Sequence, residues 1–480
     1  MSFSPICAAD GREFTEDRKR EHTMEKQLTE NKMGVMPVGR LLFNMAGPMI
    51  VSMLVQALYN VVDSMFVARI NENALAALSL AFPMQNLMIA VGTGLGVGMN
   101  AMISRSLGEG RNDWANRYAM QGVLLQGIGY LLFLCIGLFG ARPFIAMQAG
   151  GIEQITDYGT TYLMLCCVLS FGFFLQMTME RILQSTGRTM LTMITQSVGA
   201  VINIILDPIL IFGLLGAPQM GVAGAAVATV IGQCIAGGLA IFFNLTRNHD
   251  VRLHIRLLRP HRESLLQILA IGVPSVLMVS IGSIMTFCVN KILIAFTSTA
   301  VAVFGVYFKL QSFVFMPVFG LNNGLVPIVA YNYGARKRER MEGVIRLAFR
   351  TAVCIMIVGF LIFQLMPEQL LLLFGASSDM LGIGVPALRI ISISFLAAGI
   401  CVVAGSICQA LGRGLYSLLI SFGRQIVVLV PAAFLLSRLG VLNLVWLAWP
   451  IAEVASILLS LFFVRRTLRI LDWTASSREA

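Results

Sequence analysis

The chain has 480 residues, of which 57% are hydrophobic and only 12% charged. A soluble globular domain carries about 25% charged residues, so this composition excludes a soluble protein. Apolar runs such as 161–175 do not alternate in polarity as membrane β-strands do, so helices are expected. All four histidines lie in polar segments, which leaves no imidazole at membrane depth for haem or a catalytic metal. We therefore do not expect an enzyme.

Apolar runs of about 20 residues, long enough to cross a bilayer, recur from Leu41 to Val464. The predicted spans lie at 41–68, 78–103, 116–140, 158–182, 190–214, 221–244, 265–296, 301–330, 346–366, 385–410, 415–436 and 442–464. The predicted organisation is a cytosolic tail at 1–40, a first lobe at 41–245, a cytosolic linker at 246–264, a second lobe at 265–465 and a cytosolic tail at 466–480.

Lysine and arginine collect in polar segments on the side of the amino terminus. These segments are 105–117, 181–188, 247–262, 336–340 and 465–469. This positive-inside distribution predicts an inner-membrane protein with both termini and the linker in the cytoplasm. It also accounts for the net charge of +11, so nucleic acid is not an expected partner.

A weak internal repeat relates the two halves at an offset of about 226 residues. The aligned pairs include Pro48 with Pro274, Gln85 with Gln311, Gly94 with Gly320, Gly98 with Gly324 and Gly108 with Gly334. Two six-helix lobes related by a pseudo-two-fold axis along the membrane normal follow, which is typical of a transporter. The two prolines are expected to let their helices bend. The glycines of GTGLGVG at 92–98 are interpreted as positions of close helix packing.

Few polar side chains lie within the spans, and each is a functional candidate because charge is costly in lipid. Asp63 lies in the first span, and Asn203 and Asp207 lie one turn apart on one face of the fifth. A carboxylate and an amide placed this way can converge on a cation. The alternative is a hydrogen-bonded lock between helices.

Further candidates surround these three. Tyr162 and Glu180 are expected on one face of the fourth span, although Glu180 could instead pair with Arg181 or Arg188. Thr229 of the sixth span is a neutral ligand candidate. The second lobe contributes Asn290, Lys309 and Glu453, and a buried pair between Lys309 and Glu453 is favoured.

Several motifs together resemble the multidrug and toxic compound extrusion (MATE) family across residues 40–465. They are AGPM at 46–49, YNVVDSMFVAR at 59–69, ILQSTGRT at 182–189, NIILDPILIFG at 203–213, GVAGAAVAT at 221–229 and PIVAYNYGA at 327–335. The resemblance implies an exporter that rocks two six-helix lobes, a mechanism for which a monomer is sufficient. It would expel lipophilic, often cationic, drugs in exchange for H⁺ or Na⁺ and would need no other cofactor.

The same resemblance places the family's cation site at Asp63, Asn203 and Asp207, with Tyr162, Glu180 and Thr229 around it. The chain departs from the family at Thr186, where many relatives carry an acid. Two neighbouring acids in a low-dielectric cavity would attract a proton, a sodium ion or a cationic drug, so the coupling ion stays open.

The alternative function is a flippase or exporter of lipid-linked or other amphiphilic compounds. It would require basic residues in the cavity, and Lys291 and Lys309 are the only candidates.

Overall fold

The computed structural model describes residues 31–68, 70, 72–149 and 152–470, which form helices and no strand. The predicted terminal tails lie mostly outside these residues. The spans, numbered 1 to 12 in chain order, are Val38–Ala68, Glu72–Gly108, Asn112–Ala146, Glu153–Val168 with Phe171–Ser185, Thr189–Phe212, Val222–Thr246, Arg262–Ile294, Ser298–Gly334, Arg338–Leu365, Ser378–Ser392 with Phe395–Ala410, Gly414–Ser437 and Leu442–Arg469. Shorter helices occupy Lys32–Val35, Leu214–Gly216, Ile255–Leu258 and Pro367–Leu372. The twelve predicted spans in two lobes are confirmed.

Spans 4 and 10 are broken, whereas continuous helices were predicted there. Their two parts meet at 43° in span 4 and at 50° in span 10. Each break carries a serine whose hydroxyl donates to the carbonyl three residues earlier, Ser170 to Cys167 at 2.7 Å and Ser394 to Ile391 at 2.6 Å. Such local bonds compete with the helical ladder and favour a bend. The two lobes therefore share this irregularity at corresponding positions.

Spans 3 and 11 each contain a stretch of π-helix, at Ile136–Gly140 and Gly423–Leu429. Pro48 and Pro274 lie inside helices that continue through them. The bending role proposed for these prolines stays a prediction.

Glycines bring the two lobes into backbone contact. We define the terminal end of the bundle as the end that carries Val38 of span 1 and Arg469 of span 12. A Cβ atom on Gly98 of span 2 would collide with the carbonyl oxygen of Ile268 in span 7. Gly108 approaches the carbonyl of Tyr331 in span 8 equally closely. These contacts lie in the half of the bundle nearest the terminal end.

The repeat-related glycines of the second lobe make the reciprocal contacts. A Cβ on Gly324 would lie 2.7 Å from Cα of Ala46, and one on Gly320 would lie 2.6 Å from Cα of Ile50. Gly334 meets the carbonyl of Arg105. The glycines predicted to mediate close packing therefore do so, and most of the pairs face the opposite lobe.

Adding one methyl group at Gly98 tests this contact. Gly98→Ala is expected to lower the free energy of unfolding by about 1–3 kcal/mol, because the Ile268 carbonyl cannot move away without displacing span 7. Gly238→Ala is the matched control, since nothing lies within 4 Å of its Cβ position in span 6. Thermal unfolding of both variants in detergent measures the difference. Equal midpoints would contradict the packing role.

Candidate functional site

A close approach of spans 5 and 6 positions the first polar group. A Cβ on Gly232 would lie 2.7 Å from the carbonyl oxygen of Gly199, so the two backbones nearly touch. One turn from this contact, the Asn203 amide faces Thr229. In the orientation that satisfies both neighbours, the amide nitrogen donates to Asp207 Oδ2 at 3.2 Å and the amide oxygen accepts from Thr229 Oγ1 at 3.1 Å. Asn203 therefore joins span 6 to the Asp207 carboxylate.

Asp63 approaches this group from span 1. Its Oδ1 atom is buried and has no hydrogen-bond partner in the part of the chain that the structure describes, and Asp63 lies near Asp207, which is fully buried. Within the described residues, neither carboxylate has an ion-pair partner. The structure thus brings together the three predicted residues Asp63, Asn203 and Asp207 with Thr229.

Tyr162 also joins this group. Gln85 Nε2 donates to its hydroxyl at 3.2 Å and to Cys166 Sγ at 3.5 Å, and Tyr162 lies near Asp63 and Tyr59. Tyr59 was not among the predicted site residues, although it lies one helical turn before Asp63. Gln85 was not among them either, and its match with Gln311 in the repeat could have indicated a role.

An unpaired carboxylate oxygen in a buried site is an acceptor that a proton, a cation or water can satisfy. Oxygen atoms of Asp63, Asp207, Asn203 and Thr229 are also the hard ligands that a small cation such as Na⁺ favours. The group can therefore receive either a proton or a cation. It offers no nucleophile activated by a base.

Glu180 belongs to a separate group nearer the terminal end. Its carboxylate accepts hydrogen bonds from Gln176 at 2.9 Å, Thr195 at 2.9 Å and Gln196 at 2.6 Å. Gln196 is also bonded to Ser52 of span 1. The prediction that Tyr162 and Glu180 share one helical face is wrong because the 43° break lies between them.

The two arginines near Glu180 have other partners. Arg181 Nη1 donates to Gln184 at 2.9 Å and to Asn323 of span 8 at 3.1 Å, and Arg188 forms an ion pair with Asp250 at 3.5 Å. Neutral donors therefore satisfy the buried Glu180 carboxylate. Gly96 makes room for Arg181, since its Cβ would lie 2.9 Å from Cγ of that side chain.

The predicted pair of Lys309 and Glu453 in the second lobe does not form. Glu453 instead pairs with Arg424 of span 11, whose Nη1 atom lies 2.8 Å from Oε1. Lys309 is exposed, and its ammonium lies 5.9 Å from the centre of the Phe374 ring. Arg424 was missed because the order of helices around a lobe is not visible in the sequence.

The remaining second-lobe candidates do not join this pair. Asn290 is half-buried in span 7, and Lys291 is exposed with its ammonium 5.7 Å from the centre of the Phe287 ring. Glu453 is buried, and its second oxygen has no hydrogen-bond partner. Among the described residues the two lobes therefore differ, since Asp63 and Asp207 of the first have no counter-ion, whereas the second holds a paired acid.

Breaking the pair in the second lobe tests its structural role. Arg424→Met is expected to cost about 3–5 kcal/mol of unfolding free energy, because it leaves the Glu453 charge buried and unpaired. The double variant with Glu453→Leu should recover most of this loss. Arg438→Met, at the exposed end of span 11, is the control and should cost under about 1 kcal/mol. Thermal unfolding of the three variants measures these differences. If the double variant lost as much stability as the two single substitutions together, the pairing would be contradicted.

Relatives that are named for a function match most of this chain. Two curated proteins, each named multidrug export protein MepA, come from Staphylococcus saprophyticus and Staphylococcus aureus. The first is 27% identical over 404 residues, covering 83% of this chain and 87% of that protein. The second is 26% identical over 418 residues, covering 85% and 90%.

Solved structures share the fold. A structure described as the outward-facing conformation of a multidrug resistance MATE family transporter of the MOP superfamily has a TM-score of 0.85 and 25% identity, covering 92% of this chain and 98% of that one. A MOP superfamily transporter from Pyrococcus furiosus has a TM-score of 0.87 and 24% identity, covering 92% and 98%.

The family model MatE matches the chain twice, at residues 48–209 and 274–435. The two matches begin at Pro48 and Pro274, which the internal repeat also aligns, so the duplication is confirmed. The chain is a multi-pass membrane protein of the bacterial MatE family.

Proposed function

We propose that this protein is a multidrug efflux transporter that antiports lipophilic organic cations against H⁺ or Na⁺. The observation that carries the proposal is the buried, unpartnered Oδ1 atom of Asp63 beside the fully buried Asp207. Support also comes from relatives named for multidrug export. Membership of this family indicates that the protein is a transporter rather than an enzyme.

The two carboxylates supply the competition that antiport requires. When neither ion nor drug is bound, two acids share a poorly solvated site, and no Lys or Arg of the described residues forms an ion pair with either. A proton or sodium ion relieves this unfavourable state, and so does the positive charge of a drug. Because one site serves both, binding of the ion displaces the drug.

Antiport also requires two alternative arrangements of the lobes, and the contacts between the lobes define one of them. In the arrangement described here, glycine backbones close the lobes against each other near the terminal end. The distribution of Lys and Arg supports a cytoplasmic location for that end. We therefore assign this arrangement to a state closed towards the cytoplasm, and rocking of the lobes would open that side for drug entry.

Coupling equals the difference between the affinities of ion and drug for the two arrangements. An inward potential of 100 mV adds about 2.3 kcal/mol for each net charge that crosses the membrane. An exchange in which the entering ions together carry one charge more than the departing drug therefore gains this driving force.

Removing one acid charge tests the proposal. Purified protein is reconstituted into liposomes loaded with a fluorescent lipophilic cation, and a sodium gradient and a pH gradient are imposed separately. We expect one gradient to drive movement of the cation. Asp207→Asn should reduce this rate at least tenfold, because the variant has lost one of the two charges for which ion and drug compete.

Asp113→Asn is the matched control, since Asp113 is an exposed acid in the first turn of span 3. It should transport as the unmodified protein does. Full activity of Asp207→Asn would contradict the role of the acid pair. Failure of both gradients to move any of several cations through folded protein would contradict multidrug antiport, and lipid-linked substrates would then be assayed.

A further inference from the structure

Residues 31–37, which precede span 1, form what we call the terminal strap. Its core is the short helix Lys32–Val35, which Asn31 caps by accepting a hydrogen bond from the Met33 amide at 3.0 Å. Met33 is fully buried. A four-residue helix is too short to be stable alone, so the surrounding lobes must hold it in place.

The first lobe holds one side of the terminal strap. Asn31 Nδ2 donates to the carbonyl of Thr186 at 2.9 Å, in the turn between spans 4 and 5. Lys32 Nζ donates to Asn44 Oδ1 at 2.7 Å. Gly187 in the same turn has a φ of +85°, and a Cβ there would lie 3.1 Å from Cε of Lys32. The turn therefore fits closely around the strap.

The second lobe holds the other side. Asn332 Nδ2 donates to the carbonyl of Met33 at 3.1 Å, and Lys337 Nζ donates to that of Gly34 at 3.0 Å. Arg340 Nη2 donates to the carbonyls of Met33 at 3.3 Å and Met36 at 2.6 Å. These donors supply partners to carbonyl groups that such a short helix leaves unsatisfied.

We propose that the terminal strap is a latch that stabilises the lobe arrangement closed at the terminal end. One short segment binds both lobes where their backbones meet, so separating the lobes there must break its bonds to one of them. The inference rests on the proposed rocking of the lobes. It also assigns a role to two sequence motifs, ILQSTGRT at 182–189 and PIVAYNYGA at 327–335, since Thr186 and Asn332 within them bind the strap.

The kind of hydrogen bond that the second lobe makes to the strap determines which residues must be changed to test the latch. The second-lobe donors Asn332, Lys337 and Arg340 bind backbone carbonyls of the strap, so replacing strap side chains would leave these bonds intact. The lobe residues must be changed instead. Arg340 makes the largest contribution because it also donates from Nε to Asn332 Oδ1 at 3.3 Å, which orients that amide.

The experiment measures the distance between the lobes at the terminal end. Spin labels are placed on Arg111→Cys in the first lobe and Arg413→Cys in the second, both exposed positions, after the nine native cysteines have been replaced. Pulsed electron paramagnetic resonance in lipid nanodiscs then gives the populations of short and long distances.

Arg340→Met should raise the ratio of long to short distances about tenfold, because it removes charged hydrogen bonds made only in the closed arrangement. Lys337→Met should shift the ratio in the same direction by less. Arg346→Met is the control, since Arg346 lies on the same helix, is 73% exposed and pairs only with Glu342 at the surface among the described residues.

Unchanged distance distributions in both Arg340→Met and Lys337→Met would overturn the latch, and so would an equal shift in Arg346→Met. This readout requires no substrate. A shift in the distances with no drug movement in liposomes would therefore refute the proposed function and support the latch. Drug movement without any shift in the distances would support the proposed function and refute the latch.

Discussion

Backbone contact at glycine is the constraint on which the arrangement of the two lobes depends. Gly98 and Gly108 of the first lobe meet carbonyl groups of the second, and Gly334 returns the same contact. In lipid there is little hydrophobic force between helices, so their association depends on close packing and polar contacts. Any side chain at these positions would hold the lobes apart. The glycines thus permit a tight seal near one end without a permanent covalent or ionic link.

The buried charges of the protein fall into three classes that differ in their partners. Glu453 is matched by Arg424, and Glu180 by three neutral donors. Arg424 of span 11 and the donors of span 5 join these acids to neighbouring helices, so both acids are suited to holding helices together. Within the described part of the chain, Asp63 and Asp207 have no counter-ion, and an external cation or proton can provide the missing charge. Burial alone does not distinguish these classes, whereas the partners do.

The features predicted well from sequence were those set by the bilayer and by the repeat. Span lengths follow hydrocarbon thickness, and the paired glycines follow duplication, so both were visible in the residues. The break in span 4 was not, because Ser170 changes the local hydrogen bonds without interrupting the apolar run. The choice between Lys309 and Arg424 as the partner of Glu453 depends on which helices are neighbours. Hydropathy carries no information about that order.

In the proposed mechanism, the terminal strap and the acid pair act on the same equilibrium from different places. A seal formed by glycine contacts alone would open at a cost set by packing, and the strap adds hydrogen bonds that exist only while both lobes are near it. Ligands at Asp63 and Asp207 shift the lobes only by their differential affinity for the two arrangements. A latch that is too strong would exceed this difference and trap the closed state. For the proposed latch to permit transport, its few hydrogen bonds must therefore stabilise the closed arrangement by less than this difference in affinity.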